Sequence, residues 1–411
     1  MFKKNKFFLF PSLIIILILI AYLSLKIWQK NFKSPIGENF QFSYITDKLW
    51  PRKNNQKKII YGFLPYWNIN KVKIQPELTH LSYFALEVGI DGQIVIESKP
   101  GETEPGYRQL NSEQFFTLID KNDLKLELVL SQFDSQKIEE LLNDQQAWLT
   151  LLEQIDGLLL AYPFTGINLD FEYQGEASDQ LRQQFTNLVI SIQQHLAEYK
   201  EKINLSVDAY ASAGNSEKKL LWDIKKLEPY LDYVIVMAYD FHRQSSAQAG
   251  PGAPLLGGQD LWSSDINSLM KGFFDQIPRE KILLGVPFYG YAWQTDSLEP
   301  RANTYPGTGF TVSYQEALNL KQLSGIWEGC GNLEIHWQEE ALSPFATLTC
   351  PKNETEEKGE LLNYLVYFED AQSLQYKIDY AKQLDLAGVA IWALGYEGKT
   401  RDLWEVLGSL N

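Results

Sequence analysis

Two carboxylates stand two residues apart in the run Thr165-Gly166-Ile167-Asn168-Leu169-Asp170-Phe171-Glu172-Tyr173. Polar and apolar residues alternate along it, so strand geometry places Asn168, Asp170 and Glu172 on one face. Two carboxylates this close cannot both ionise freely, so the pKa of one rises and that group can hold a proton for delivery. The pattern therefore predicts a general acid with a carboxylate partner. The alternative is a buried polar layer whose members only hydrogen-bond one another.

Eight apolar runs, separated by amphipathic helical stretches, predict the strands that position these groups. They are KIIYGFLPYW ending at Trp67, LTHLSYFALEV ending at Val88, KLELVLSQF ending at Phe133, GINLDFEY ending at Tyr173, INLSVDAY ending at Tyr210, DYVIVMAYDF ending at Phe241, KILLGVPFYGYAW ending at Trp293 and LAGVAIWAL ending at Leu394. The alternation is typical of parallel strands joined by crossover helices, and eight of them favour a closed (β/α)8 TIM barrel. Glu172 would then lie at the C-terminal mouth, with Asp170 one layer deeper.

An insertion is expected late in the chain. The seventh and eighth predicted strands are roughly 90 residues apart, whereas one helix and its loops need about 30–45. A small α+β lobe is therefore predicted over about 295–362. It contains Cys330 and Cys350, which can form one disulfide in an oxidising compartment or remain two separate buried thiols.

The N-terminal segment predicts a membrane anchor. Lysines precede roughly 19 uncharged residues within 1–30, which is long enough to span a bilayer. The apolar run is longer than that of a cleaved signal peptide, and no clear small-residue cleavage site follows it. We therefore expect an uncleaved transmembrane helix; secretion after signal cleavage is the alternative. The polar segment 31–56 predicts a stalk, and 57–411 a folded domain outside the cytoplasm.

Composition limits the partners of the folded domain. Hydrophobic residues make up 45% of the chain and charged residues 22%, which indicates a large core and excludes wholesale disorder. A net charge of -15 repels nucleic acid, so a neutral substrate is expected. The four histidines lack metal-ligand spacing. Of these, His80 lies in an apolar strand and is expected to be a core residue, while His242 lies at the mouth of the sixth strand.

Four further segments accompany the carboxylate strand in order: YGFLPYW, THLSYFAL, MAYD and AGVAIWALGYE. Together they resemble glycoside hydrolase family 18, which includes chitinases, endo-β-N-acetylglucosaminidases and bacterial enzymes that degrade spore cortex or cell wall. The fourth strand of that family carries D-G-x-D-x-D-x-E, and MAYD resembles the M-x-Y-D signature of its sixth strand. The resemblance extends over about 59–407. It implies hydrolysis of β-1,4-linked polymers that contain N-acetylglucosamine, either chitin or peptidoglycan.

The resemblance also implies a retaining mechanism in which the acetamido oxygen of the substrate attacks the anomeric carbon. Glu172 would protonate the glycosidic oxygen and later activate water. Asp170 would orient the acetamido group and stabilise the charged intermediate, while Tyr239 would donate a hydrogen bond to the acetamido oxygen. This mechanism requires no metal or organic cofactor.

A set of sugar-binding residues follows from the same resemblance. Asp240 would bind sugar hydroxyls, and Trp392 would form the apolar floor beneath the sugar at the cleavage point. Four more aromatic residues are candidates for the groove, with packing in the core or lobe as the alternative for each: Tyr66, Trp67, Tyr291 and Trp293.

The deep end of the acid strand departs from the family pattern. Thr165 and Asn168 stand where the family has its first two acids. Asn168, kept among the candidate substrate-binding residues, would hydrogen-bond Asp170 but could not exchange a proton with it. The deep negative charges that tune the acid would be missing, so altered pH dependence or slower turnover is expected.

The end of the third strand departs as well, since many relatives have S-x-G-G where this chain has Ser131-Gln132-Phe133-Asp134. The bulkier side chains would narrow the groove at that edge. This departure bears on substrate choice, whereas the missing deep acids make a catalytically weak or inactive glycan-binding protein the alternative function. The retained Glu172 argues against it.

Overall fold

Eight parallel strands close into a barrel in the computed structural model, which describes residues 57–120, 124–258, 260–352 and 361–411. The described strands are β1 (Ile59–Pro65), β2 (His80–Glu87), β3 (Glu97–Lys99), β4 (Glu102–Thr103), β5 (Lys125–Gln132), β6 (Gly166–Phe171), β7 (Asn204–Tyr210), β8 (Tyr233–Met237), β9 (Ile282–Pro287), β10 (Tyr289–Thr295), β11 (Phe310–Ser313), β12 (Gly331–Gln338), β13 (Ser343–Pro351), β14 (Leu361–Tyr367) and β15 (Gly388–Trp392). Around the barrel the order is β1-β2-β5-β6-β7-β8-β9-β15. Each of the eight predicted strands contains one barrel strand, so the predicted closed barrel is confirmed.

Helices connect the barrel strands. They are α1 (Pro105–Leu110), α2 (Glu113–Asp120), α3 (Ser135–Asn143), α4 (Gln145–Ala161), α5 (Asp179–Leu196), α6 (Ile224–Leu227), α7 (Ile266–Phe274), α8 (Tyr314–Leu320), α9 (Ala371–Gln383) and α10 (Asp402–Gly408). Side chains at several helix starts satisfy backbone N–H groups that have no partner within the helix. Asp134, for example, accepts hydrogen bonds from the backbone N–H groups of Gln136 and Lys137 and thereby caps α3, which begins at Ser135 shortly after the end of β5.

The seventh predicted strand is wrong in its extent. The run KILLGVPFYGYAW is two strands, because β9 ends at Pro287 and β10 begins at Tyr289 in a different sheet. Proline cannot donate a hydrogen bond to a further strand ladder, and the chain leaves the barrel there. Both segments are almost wholly buried, so their apolar character is continuous and does not mark the break.

The predicted insertion between the seventh and eighth barrel strands is confirmed as an antiparallel sheet in the order β11-β10-β14-β13-β12, accompanied by α8. The sheet begins at Tyr289 and ends at Tyr367, so it extends beyond the predicted limits of 295–362 at both ends. Cys330 and Cys350 form a disulfide at the far edge of the sheet, so of the two alternatives the structure has the bonded pair and not two separate thiols.

The barrel interior contains polar groups as well as apolar ones. Glu127 is fully buried, and its Oε2 and Oε1 lie 3.0 Å from the Tyr61 hydroxyl and 3.3 Å from Asn204 Nδ2, respectively. His80 is 5% exposed and stacks on Tyr61, with ring centroids 5.9 Å apart, which confirms its assignment to the core. Burial is the largest cause that lowers the pKa of His80 to about 4, so this histidine is neutral at physiological pH.

The predicted anchor, 1–30, and the predicted stalk, 31–56, lie outside the described residues. Within the described part of the chain, no helix combines the length and apolar character needed to cross a bilayer.

Candidate active site

A cavity of about 280 Å³ opens at the C-terminal ends of the barrel strands. Barrel enzymes carry their active sites at this end, because loops after several different strands meet there. Six of the ten predicted site residues line the cavity: Asp170, Glu172, Tyr239, Asp240, Trp67 and Trp392. The fold therefore brings together the candidate acid, its carboxylate partner and the candidate sugar floor.

Glu172 directly follows the last residue of β6, at the mouth of the barrel. Its Oε2 accepts a hydrogen bond of 2.7 Å from the Tyr210 hydroxyl. Burial is the largest influence on this carboxyl and raises its pKa above the ordinary value, while the Tyr210 hydrogen bond and the Arg243 guanidinium lower it. A raised pKa keeps Glu172 protonated over a wider pH range, as a proton donor requires.

Asp170 lies deeper on β6 and is 3% exposed. Its pKa is raised well above the ordinary value, first by burial and then by the charges of Asp208 and Glu172. Among the described residues, no group hydrogen-bonds its Oδ1 atom. Asp170 is therefore a buried acid whose protonation depends on the charges of Asp208 and Glu172.

The side-chain amide of Asn168 donates its hydrogen bonds to residues of the neighbouring strand, β7. Its Nδ2 donates hydrogen bonds to Asp208 Oδ1, at 2.9 Å, and to Ser206 Oγ, at 3.0 Å. The predicted hydrogen bond from Asn168 to Asp170 is therefore wrong. Asp208 on β7, which is 2% exposed, nevertheless places a further carboxyl beside the Asn168 amide.

Tyr239 and Asp240 lie just beyond the end of β8, separated from it by Ala238, and line the cavity together. Burial raises the pKa of the Tyr239 hydroxyl well above its ordinary value, and the charges of Asp208 and Asp170 add to the shift. The hydroxyl therefore remains a hydrogen-bond donor. Asp240 has a φ of 61°, a left-handed conformation that aspartate tolerates better than most residues.

Two tyrosines from the insertion hold Asp240 in place. Its Oδ1 accepts hydrogen bonds from the hydroxyls of Tyr289 and Tyr291, the latter at 2.8 Å. Tyr291, a predicted groove residue, is 7% exposed and does not line the cavity, so its contribution in this structure is to position Asp240. The insertion is thus part of the site and not a separate lobe beside it.

The remaining predicted aromatic residues separate into three groups by position. Trp392 packs against Phe84 and Phe63, with ring centroids 4.5 Å and 5.8 Å away, and forms one wall of the cavity. Trp67 is 45% exposed and lines both this cavity and a neighbouring one of about 510 Å³, which Tyr66 also lines. Trp293 is fully buried, and its Nε1 donates to the carbonyl of Arg243, so the packing alternative describes Trp293 in this structure.

Phe133, at the unusual end of the third barrel strand, lines both cavities. It is 47% exposed and stacks on Phe84 with ring centroids 6.2 Å apart. His242, in contrast, hydrogen-bonds the carbonyl of Pro251 and is absent from the cavity lining.

Four polar residues that line the cavity were missed in the sequence: Asp208, Tyr210, Arg243 and Tyr289. A signal for two of them was present, because Ser206, Asp208 and Tyr210 alternate along β7 as the acids do along β6. Arg243 follows β8 in a loop, and no periodicity marks it. Within the described ranges, no group of three or more histidine, cysteine or acidic side chains is arranged to hold a metal ion.

Comparison with known proteins identifies related chains. Probable chitinase 2 of Drosophila melanogaster is 26% identical over 253 residues, which cover 59% of this chain and 49% of the relative. Cortical fragment-lytic enzyme of Bacillus subtilis is 24% identical over 338 residues, covering 78% of this chain and 65% of the relative. The chain thus spans less than two thirds of the length of either relative.

The fold matches a solved structure as well. A GH18 chitinase from Cycas revoluta, in complex with (GlcNAc)3, superposes with a TM-score of 0.69 at 21% identity and covers 86% of this chain and 99% of that one. Residues 43–397 match the sequence model of the family described as Glycosyl hydrolases family 18. Since this match covers most of the chain, the protein belongs to glycosyl hydrolase family 18.

Proposed function

We propose that this protein is a retaining glycosidase that cleaves β-1,4-linked polymers containing N-acetylglucosamine, with Glu172 as its acid. One observation carries the proposal. Glu172, whose pKa is raised by burial, lines the same cavity as Asp170 and Tyr239. A proton donor, a second carboxyl and a hydroxyl donor that meet in one cavity suit acid-catalysed cleavage assisted by the substrate.

In the proposed reaction, Glu172 gives its proton to the glycosidic oxygen while the acetamido oxygen of the sugar attacks the anomeric carbon. Tyr239 donates a hydrogen bond to the acetamido group, and Asp170 orients that group and balances the positive charge of the intermediate. Glu172, now ionised, removes a proton from the water that opens the intermediate. Trp392 supports the apolar face of the sugar, and every step uses groups of this chain and its substrate.

The shape and charge of the site support a neutral, extended substrate. The second cavity, of about 510 Å³, shares Trp67, Phe84 and Phe133 with the first, so a polymer can extend along these rings. Related proteins carry names that fit two polymers: a chitinase solved with (GlcNAc)3 and a cortical fragment-lytic enzyme. We propose chitin or peptidoglycan as the substrate.

We also propose that the enzyme works outside the cytoplasm, held to the membrane by residues 1–30 through the stalk 31–56. Support comes from the long uncharged run near the N-terminus and from the Cys330–Cys350 disulfide, since disulfides persist in oxidising compartments. Membrane fractionation of the full chain, followed by protease treatment of intact cells, tests this proposal. A domain recovered in the soluble cytoplasmic fraction would contradict it.

The central experiment compares the purified full chain with its Glu172→Gln variant on chitooligosaccharides and on purified peptidoglycan, by release of reducing ends. Glu176→Gln is the matched control, because Glu176 is an exposed glutamate on the loop after the same strand. We expect cleavage by the wild type and the control, and a loss of at least about a thousandfold in Glu172→Gln. Glycan binding without cleavage by any of the three proteins would instead indicate a glycan-binding protein.

A further inference from the structure

Asp208 is a buried carboxyl that the reaction above does not use. The last paired residues of the two strands are Leu169 on β6 and Val207 on β7. Asp170 and Asp208 are the next residue on each strand, so the same register places them opposite each other. Neighbouring strands lie about 4.8 Å apart. Two residues earlier, Asn168 and Ser206 both point into the barrel and are joined by a hydrogen bond of 3.0 Å. Strand alternation therefore directs Asp170 and Asp208 inward, side by side in one layer.

The groups that face Asp208 are acids, phenols and an amide. The described titratable groups coupled to it are Asp170 and Glu172 from the β6 strand, Glu127 from β5, Tyr61 from β1 and Tyr239 from the end of β8. Burial is the largest cause that raises its pKa well above the ordinary value, whereas the Asn168 hydrogen bond lowers it. The described groups that shift this pKa include no cation. Two adjacent buried carboxyls without a cation cannot both be ionised, so the pair retains a proton.

The hydrogen bonds around the pair are unequal. Asn168 Nδ2 donates to Asp208 Oδ1 at 2.9 Å and therefore stabilises the ionised form of Asp208. Asp170 Oδ1, in contrast, is buried and has no hydrogen-bond partner among the described residues. An unsatisfied carboxyl oxygen beside a second carboxyl is the arrangement that a shared proton would satisfy.

We propose that Asp208 is a positioning residue for Asp170, with which it exchanges one proton during the reaction. The inference rests on the proposed glycosidase function. The pair shares one proton at rest, and while Glu172 delivers its own proton the shared proton moves fully to Asp170; Asp170 is then a neutral acid, and Asp208 is a carboxylate that the Asn168 amide stabilises. The new charge on Glu172 then faces a neutral neighbour. Reversal of the transfer restores the negative charge of Asp170 beside the positive intermediate, and no other atom is gained or lost.

This assignment explains the amide at position 168. The deep acid is absent from β6, but Asp208 on β7 supplies a carboxyl in the layer of Asp170, and Asn168 connects the two strands. An amide donor at 168 stabilises a carboxylate at 208, whereas a third acid at 168 would add another like charge to the layer.

Asp208→Asn tests the proposal, because the amide keeps the size of the side chain but cannot exchange a proton. With its charge fixed beside Glu172, Asp170 makes ionisation of Glu172 more costly. We expect kcat to fall about tenfold or more, because Glu172 releases its proton less readily beside a fixed charge on Asp170. The alkaline limb of the pH profile of kcat/KM moves to higher pH, while KM changes little.

Two further variants separate proton exchange from a structural role. Asn168→Asp/Asp208→Asn moves the carboxyl back to β6 at unchanged formal charge, and we expect it to recover most of the lost kcat and the wild-type alkaline limb. Ser206→Ala removes the other partner of the Asn168 amide without changing any acid, so its pH profile remains that of the wild type. Wild-type kinetics in Asp208→Asn would overturn the proposal. So would equal losses in Ser206→Ala together with no recovery in the double variant.

A measurement that does not depend on turnover separates a failure of this inference from a failure of the proposed function. Infrared difference spectra report buried protonated carboxyl groups, and we expect the wild type to show at neutral pH, besides the bands of Glu127 and Glu172, a further band that is lost in Asp208→Asn. Absence of the band from the wild type would overturn the inference even if the enzyme is active. If the wild type cleaves no glycan but shows the band, the proposed function fails and the shared proton stands. Circular dichroism establishes that each variant is folded.

Discussion

Glu127 offers a quantitative test of how the barrel accommodates a buried acid. The side chain is fully buried, and its partners are the Tyr61 hydroxyl at 3.0 Å and Asn204 Nδ2 at 3.3 Å. Burial is the largest cause that raises its pKa from the ordinary 4.5 to about 7. Glu127→Gln keeps the shape and one acceptor oxygen for these donors but cannot ionise.

The sign of the effect follows from proton binding. Between pH 4.5 and about 7, folded Glu127 retains a proton that the unfolded chain has released, so the free energy of unfolding falls as the pH rises. The favourable contribution is fully present below pH 4.5 and is lost as the pH passes through about 7. A shift of about 2.5 pKa units corresponds to roughly 3 kcal/mol.

Urea unfolding of the wild type and Glu127→Gln between pH 4 and 8.5 measures this contribution. We expect the free energy of unfolding of the wild type to fall relative to the variant by roughly 3 kcal/mol across that range. Asp170 and Asp208 are present in both proteins, so their own titration largely cancels in the difference. A difference in stability that stays constant with pH would refute the reasoning.

Three further perturbations test other parts of the structure. Arg243→Gln removes a guanidinium that lowers the pKa of Glu172, so the alkaline limb of kcat/KM should move to higher pH; an unmoved limb in reducing-end assays would contradict this. Trp392→Ala removes a wall of the cavity and should weaken glycan binding about tenfold, or ~1.4 kcal/mol, by calorimetry; unchanged affinity in a folded variant would exclude it from the sugar site. Replacing Cys330 and Cys350 by serine removes a crosslink between residues 20 apart in sequence and should lower the stability of the insertion by ~3 kcal/mol. Equal thermal melts for this variant and the oxidised wild type would argue against that contribution.

The barrel and its acid strand could be predicted because their signals are local. Alternation over a few residues fixes which face each side chain takes, so Asp170 and Glu172 were assigned to the barrel interior from their own strand alone. The positions of Tyr239 and Trp392 followed from short segments at the ends of predicted strands. The disulfide was suggested by the presence of only two cysteines, close in sequence.

The break between β9 and β10 was not predicted, because burial on both sides makes two strands in different sheets equally apolar. The same break changes the positions of two predicted site residues. Tyr291 and Trp293 were placed along a barrel strand, whereas β10 carries them into the insertion, where one holds Asp240 and the other is buried.

The sequence by itself determined the strand that carries the acid, the family resemblance and the mouth of the barrel as the place of the site. Only the tertiary structure decided which groups surround that acid. Asn168 and Asp208 are 40 residues apart in the chain, yet their side chains are hydrogen-bonded at 2.9 Å. Alternation within a strand sets a face, but the neighbour across that face depends on register and barrel closure, which no single segment encodes.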